Sequence, residues 1–424
     1  QTTLGTWIAE GVEIGDTFIP GLVPLLEMFQ GWMGDLFAQA NPLLFSILID
    51  GVIGGVIAVV GFLPLVMVMY FMIAILEDCG YMSRAAVVLD PVFKKVGLSG
   101  RSVIPFVIGI GCAIPGIMAS RTIRNERERR ATAMLTPFMP CGAKIPVISL
   151  FAGAFFENAG WVSFLMYFSG IVLIFVGALI VNLVTGYKAR KSFFIMELPE
   201  YKVPNLWGAF RTMCGQGWAY IVKAATIILL CNTVVQIMQT FDWQFRVAEA
   251  ADASILASVA GPFAYILVPV VGVLSWELAA AAVTGFIAKE NVVGTLAVCY
   301  GFVVNDDLEM VGSGNDVATA MVGMTKVAAL AYLMFNLFTP PCFAAMGAMN
   351  SEIKQKKWFW GGIGLQLATG FTVGFLVYQI GTLITEGHLG AGFVPGLVAV
   401  AVIAVVIGYL CIKGDEKRAK KGKK

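Results

Sequence analysis

The chain has 424 residues, of which 58% are hydrophobic and only 13% charged, with a net charge of +2. Soluble domains carry about 25% charged residues, so a water-surrounded fold is excluded, and so small a net charge gives no footing for nucleic acid. Eight cysteines are scattered without CxxC pairs, and the single histidine, His388, sits in a polar loop, which excludes zinc-finger and disulfide-framework readings.

In chain order, residues 1–45 hold five acids and no base and read as an extracytoplasmic or interfacial segment. Seven stretches are long and apolar enough to cross a bilayer: Ser46 to Leu76, Ala131 to Phe156, Trp161 to Tyr187, Gly215 to Gln239, Ala320 to Met349, Phe359 to Thr385, and Gly392 to Ile412. Two further regions, Tyr81 to Ser120 and Ser258 to Tyr300, are apolar but interrupted by Gly and Pro, and are expected to enter and leave the membrane on one side. Alternating strand patterns are lacking, so the expected class is all-α and polytopic.

Basic residues orient the loops. Arg121 to Arg130 holds five arginines, Lys188 to Lys191 and Lys354 to Lys357 follow later helix pairs, and the tail from Lys413 to Lys424 holds seven basic residues. These belong on the cytoplasmic side, opposite the net acidic loops 157–160, 241–252 and 305–316. The order helix, re-entrant segment, helix, helix then occurs twice with opposite sense, the plan of inverted-repeat transporters. The expected division is residues 46–190 for the first repeat, 191–214 for a cytoplasmic interfacial linker, 215–385 for the second repeat, 386–412 for a final span and 413–424 for a basic tail. The chain opens at Gln1 rather than Met with its start placed outside, so at least one upstream helix is expected.

Several residues could carry chemistry. Gly109, Gly111, Cys112 and Pro115 lie in GIGCAIPG, a segment that an α-helix does not tolerate, where freed carbonyls and a thiol can face a cation. The alternative is a close helix crossing built from small residues. Cys141 follows Pro140 and Cys342 follows Pro341, each expected at a kink within a span. Glu290, in FIAKEN, is an intramembrane carboxylate and by default marks an ion path, with Lys144 as a partner across the repeat. Glu77 stands at a helix end as the mouth of that path. The arginine run reads as a solvated helix start, or else as a docking surface. GxxxxGK[ST], Ser-His-Asp and HExxH patterns are all missing, so no enzyme constellation is expected.

The segments ILEDCGYMSRAAVVLD, GIGCAIPGIMASRT, PFMPCGAKIPV, GWAYIVKAATIIL and TGFIAKENVVGTL, in that order, resemble the membrane region of the ferrous iron transport protein B family over nearly the whole stretch 50–375. The resemblance implies uptake of Fe²⁺ across the bacterial inner membrane through two Gate modules. It assigns metal contact to Cys112, Cys141 and Glu290, and carries the later Pro-Cys onto Pro341-Cys342. It also implies a GTPase domain using GTP and Mg²⁺ outside this chain, small Feo accessory proteins, and the lipid bilayer as surroundings, and it allows a homo-oligomer. Pro140 departs from the family pattern, where a small polar residue is expected. Two other readings were weighed: a gate-type carrier for a nucleoside or other small solute, and a non-transporting scaffold.

Overall fold

The computed structural model describes residues 11–14, 17–20, 22–37, 51–156, 159–185, 201–222, 226–244, 246, 251–300 and 324–422. The chain divides into two compact units, residues 1–82 with 198–260, and residues 83–197 with 261–424.

In the first unit a short antiparallel hairpin pairs β1 (Gly11–Ile14) with β2 (Thr17–Pro20), an addition to the all-α plan. Its helices are α1 (Leu22–Phe37), α2 (Gly54–Asp78), α9 (Leu206–Tyr220) and α10 (Thr226–Thr240). α1, α9 and α10 all pack against α2. Within the expected span Gly215 to Gln239 the described residues are helical on both sides of 223–225, and α9 begins inside the stretch read as a linker. Asp78 accepts the Asn205 N–H at 2.7 Å and so ties the end of α2 to the cap of α9.

The second unit holds two sets of elements in the same order. The first is most of α3 (Tyr81–Lys95), then the pair α4 (Val103–Gly111) and α5 (Ala113–Ala119), then α6 (Glu126–Leu135), α7 (Ile145–Phe155) and α8 (Ala159–Thr185). The second is most of α11 (Ile255–Val271), then the pair α12 (Trp276–Ile287) and α13 (Asn291–Tyr300), then α14 (Lys326–Phe338), α15 (Phe343–Ile353) and α16 (Lys356–Thr385). α17 (Phe393–Gly422) closes the chain. Within each set the short pair folds back on itself, α4 on α5 and α12 on α13, and the chain bends by 101° between α11 and α12.

Helix starts follow from the sequence. Asn125, Ser275 and Thr325 cap α6, α12 and α14, accepting the N–H groups of Arg127 at 3.1 Å, Leu278 at 3.2 Å and Ala328 at 3.1 Å.

The packing between the sets is reciprocal. α6 contacts α15 while α14 contacts α7, so the two broken spans run antiparallel. The second arm of each short pair meets the second half of the other set's broken span, α5 on α15 and α13 on α7. This is the exchange expected of inverted repeats. Lipid gives helices no hydrophobic reason to associate, so close approach depends on small residues. A Cβ on Gly170 of α8 would stand 2.9 Å from the Phe138 carbonyl oxygen, and one on Gly370 of α16 would stand 2.9 Å from the Thr339 nitrogen. Each long helix thus lies against the break in its own set's broken span. Among the described spans Lys326–Ile353 is the most enclosed, 78% buried over its most apolar window, against 6% for Phe393–Lys413.

Several loops used to assign sidedness, 188–191 and 305–316 among them, and residues 1–10 and 38–45 lie outside the described residues.

Candidate functional site

Four interruptions of helical backbone meet in the interior of the second unit. Cys112 separates α4 from α5 in extended conformation (φ −148°, ψ 137°). Pro115 explains the break: without an N–H it cannot bond the Gly111 carbonyl, whereas in the first turn of α5 its missing donor costs nothing. Ala288 ends α12 with nearly the same dihedrals (φ −148°, ψ 127°). Lys289 and Glu290 then form a turn before α13 starts at Asn291. The second short pair therefore repeats the break of the first, with two more residues in it.

The expected kinks at Pro140-Cys141 and Pro341-Cys342 are full breaks. Cys141 (φ −98°, ψ 169°) precedes the turn Gly142–Lys144 and α7. Cys342 (φ −56°, ψ 155°) precedes α15. The cause is again local. Pro340 and Pro341 remove the N–H groups that would have reached the carbonyls of Asn336 and Leu337, four residues back.

Those two carbonyls are occupied. Lys289 Nζ donates to Asn336 O at 2.9 Å, to Asn336 Oδ1 at 3.2 Å and to Thr339 Oγ1 at 3.2 Å. Lys144 Nζ donates to Leu337 O at 2.7 Å and to Pro137 O at 2.9 Å. Both lysines are buried, and both set a cation at the carbonyl end of α14, the favoured end of a helix dipole. Lys144 also bridges the two broken spans. The expected Lys144–Glu290 ion pair is therefore corrected: the Lys144 ammonium is committed to backbone oxygens. Lys289 is not among the residues singled out from the sequence. The signal was the double proline, whose freed carbonyls require donors.

Cys112 lies within electrostatic range of Cys141, Cys342 and Glu290, and Cys342 within range of Cys141 and Glu290. Cys141 is buried, while Cys112, Cys342 and Glu290 are half-buried. The fold thus brings the four expected ligands into one neighbourhood. Among the described residues, however, no three His, Cys, Asp or Glu stand close enough to hold one ion together. The chemistry available is three thiols and a carboxylate, donors of a kind that suits a borderline divalent cation better than Mg²⁺.

Gly109 and Pro115 are buried, and Gly111 ends α4. A Cβ on Gly116 would stand 2.8 Å from Gly109 Cα and 2.8 Å from Pro105 O, so α4 and α5 touch backbone to backbone. The close-crossing and broken-helix readings of GIGCAIPG therefore both hold. Pro341 is buried within its break. Glu77 is exposed near the end of α2, in the first unit.

The arginine run is more than a solvated helix start. Arg121 Nε donates to Glu352 Oε1 at 2.6 Å, and this mostly buried carboxylate, at the end of α15, holds the guanidinium pKa above its ordinary value. Arg127 Nε donates to Thr185 Oγ1 at 3.1 Å, and Arg130 to Gln355 Oε1 at 3.1 Å.

Comparison with known proteins agrees with this architecture. The Gate family model, described as nucleoside recognition, matches residues 59–155 and again 221–356, one stretch per repeat. The model described as the ferrous iron transport protein B C terminus matches residues 163–215. Fe(2+) transporter FeoB of Staphylococcus aureus (strain COL) is 34% identical over 386 residues, 90% of this chain and 55% of that protein. The Fe(2+) transport protein A/Fe(2+) transporter FeoB fusion protein of Porphyromonas gingivalis is 32% identical over 417 residues, 87% of this chain and 48% of that protein. Fe(2+) transporter FeoB of Methanocaldococcus jannaschii is 32% identical over 368 residues, 85% of this chain and 53% of that protein. No solved structure matches. The chain spans about half the length of the curated relatives it matches. With more than half of its length matched by one family model, the chain belongs to the Gate family, as a membrane region of the ferrous iron transport protein B kind.

Proposed function

We propose that this chain forms the pathway by which Fe²⁺ is taken up across a bacterial inner membrane. The observation that carries the reading is the meeting of Cys112, Cys141, Cys342 and Glu290 at four backbone breaks. Thiols in a transmembrane interior are unremarkable singly, but at breaks related by an internal repeat they form a graded set of donors. On this reading the ion passes from one sulfur or carboxylate to the next rather than resting in a closed cage. Conduction needs sites that bind well enough to admit an ion and weakly enough to release it.

The names of the relatives, Fe(2+) transporter FeoB, support iron as the cargo. Control by a GTP- and Mg²⁺-using domain outside this chain, and cooperation with small Feo proteins, complete the proposal. The fused relative, which joins Fe(2+) transport protein A to the transporter, supports the latter partnership. The chain is not itself an enzyme on this reading. The repeats are taken as 46–190 and 215–385, with 386–412 as a closing span.

The test is influx into proteoliposomes containing the intact protein. Fe²⁺ kept reduced should enter in a saturable, protein-dependent manner, and radiolabelled uridine should not. Uridine entry without Fe²⁺ entry would replace this reading with a nucleoside carrier, and entry of neither solute would leave the scaffold.

A further inference from the structure

The second unit contains a large groove unrelated to the four breaks. Its volume is about 1210 Å³, and it runs between the last turns of α8, the first half of α16 and the middle of α17, reaching α11 and α12 at its inner end. Pockets that hold small soluble ligands fall at about 300–1,000 Å³ and place a few polar groups around the ligand. This groove is larger, and nearly all of its lining is aliphatic or aromatic.

Its polar groups gather at one end. The charged residues that line it, Arg127 and Lys357, are both basic, and Trp358, next to Lys357 in the first turn of α16, also lines it. Lys357 is exposed and Arg127 half-buried, its Nε held by Thr185 at the end of α8. Both basic residues belong to segments assigned to the cytoplasmic side from their Lys and Arg content. Tryptophan marks the headgroup level of a bilayer, and basic pockets between spans on that side bind anionic headgroups. Phe263 of α11 and Phe286 of α12 belong to the apolar part of the lining.

We propose that this groove binds one anionic phospholipid, with its headgroup at Arg127 and Lys357 and its acyl chains along α17 towards Phe286. The charge complementarity at one end and the apolar length behind it fit a lipid, and fit neither a soluble metabolite nor a zwitterionic lipid as well. The site also touches the transport machinery. The Phe286 ring, part of the groove lining, has its centroid 5.4 Å from Lys289 Nζ, the ammonium that caps α14. A bound acyl chain therefore supports the second short pair from behind.

Gly364 gives a clean way to fill the groove, because it lines the space and a Cβ built on it meets nothing within 4 Å. The experiment is native mass spectrometry of the intact protein, purified in detergent and offered equal amounts of phosphatidylglycerol and phosphatidylcholine. The expected result is retention of phosphatidylglycerol at least fivefold over phosphatidylcholine. Gly364→Leu and Lys357→Gln should each cut that retention at least fivefold, while Gly364→Ala should keep it. Equal retention of the two lipids by the wild type would overturn the proposal. So would unchanged retention in both Gly364→Leu and Lys357→Gln, or a lipid-free dimer whose formation Gly364→Leu abolishes, which would assign the groove to a second copy of the chain.

Discussion

Lys144 Nζ lies 2.7 Å from the Leu337 carbonyl oxygen, so a cation from one repeat caps the broken span of the other. The carbonyl is free to accept because Pro341, four residues on, has no N–H. Lys289 fills the neighbouring acceptor freed by Pro340. A double proline and two distant lysines thus form one device, which holds a break open at membrane depth and satisfies the oxygens that the break exposes.

Removing either ammonium should therefore destabilise the fold. Lys144→Met leaves Leu337 O and Pro137 O without their side-chain donor, and a buried unsatisfied group costs about 1–3 kcal/mol. Lys289→Met should cost less, because Thr339 Oγ1 still donates to Asn336 O at 3.0 Å. Thermal unfolding in detergent, followed by tryptophan fluorescence, should show a lowered midpoint for both and the larger drop for Lys144→Met. Midpoints equal to wild type would refute the capping role.

The prolines should matter through the break rather than through packing. The double substitution Pro340→Ala with Pro341→Ala restores two N–H donors to Asn336 and Leu337, in competition with the lysines. Fe²⁺ influx is expected to fall at least tenfold while the unfolding midpoint stays within a few degrees of wild type. Full influx would mean that the break does not depend on the missing donors.

The α4–α5 pair should not accept a side chain at its crossing. Gly116→Ala would press a methyl to within 2.8 Å of the Gly109 and Pro105 backbone, and overpacking of this kind costs about 1–3 kcal/mol or more. Gly364→Ala, with open space around it, is the matched control. Membrane abundance and unfolding midpoint should drop for the first variant alone, and equal behaviour of the two would contradict the close crossing.

Glu352→Gln should loosen the contact between Arg121, just beyond α5, and the end of α15. Because the arginine is more than half exposed, the expected loss is small, about 1 kcal/mol, and reduced by salt. Unfolding midpoints at low and high salt check this: the gap between wild type and variant should narrow at high salt, and a constant or absent gap would argue against an ionic contribution.

Among the described residues, hydropathy made five of the seven expected spans legible, and Gly and Pro content made the two interrupted regions legible, because both effects act within a few turns of chain. The four proposed ligand residues stand out for the same reason: a thiol or carboxylate beside a helix breaker is a local pattern. What sequence could not place was pairing across the fold. Lys144 looked like a partner for Glu290 because opposite charges attract, yet its choice of Leu337 and Pro137 depends on how two antiparallel broken spans pack. Glu352 was not singled out, since nothing near it in sequence marks it as the buried partner of Arg121. The Pro-Cys sites were read as kinks because one proline bends a helix, whereas extended backbone at Cys141 and Cys342 makes them breaks.

The central claim is that iron passes the cysteines at the breaks. It is tested most directly by Fe²⁺ influx into proteoliposomes carrying intact wild-type protein, Cys112→Ser or Cys141→Ser at matched protein density. The account predicts saturable influx for wild type and at least a tenfold loss for each variant, and influx at the wild-type rate in both variants would contradict it.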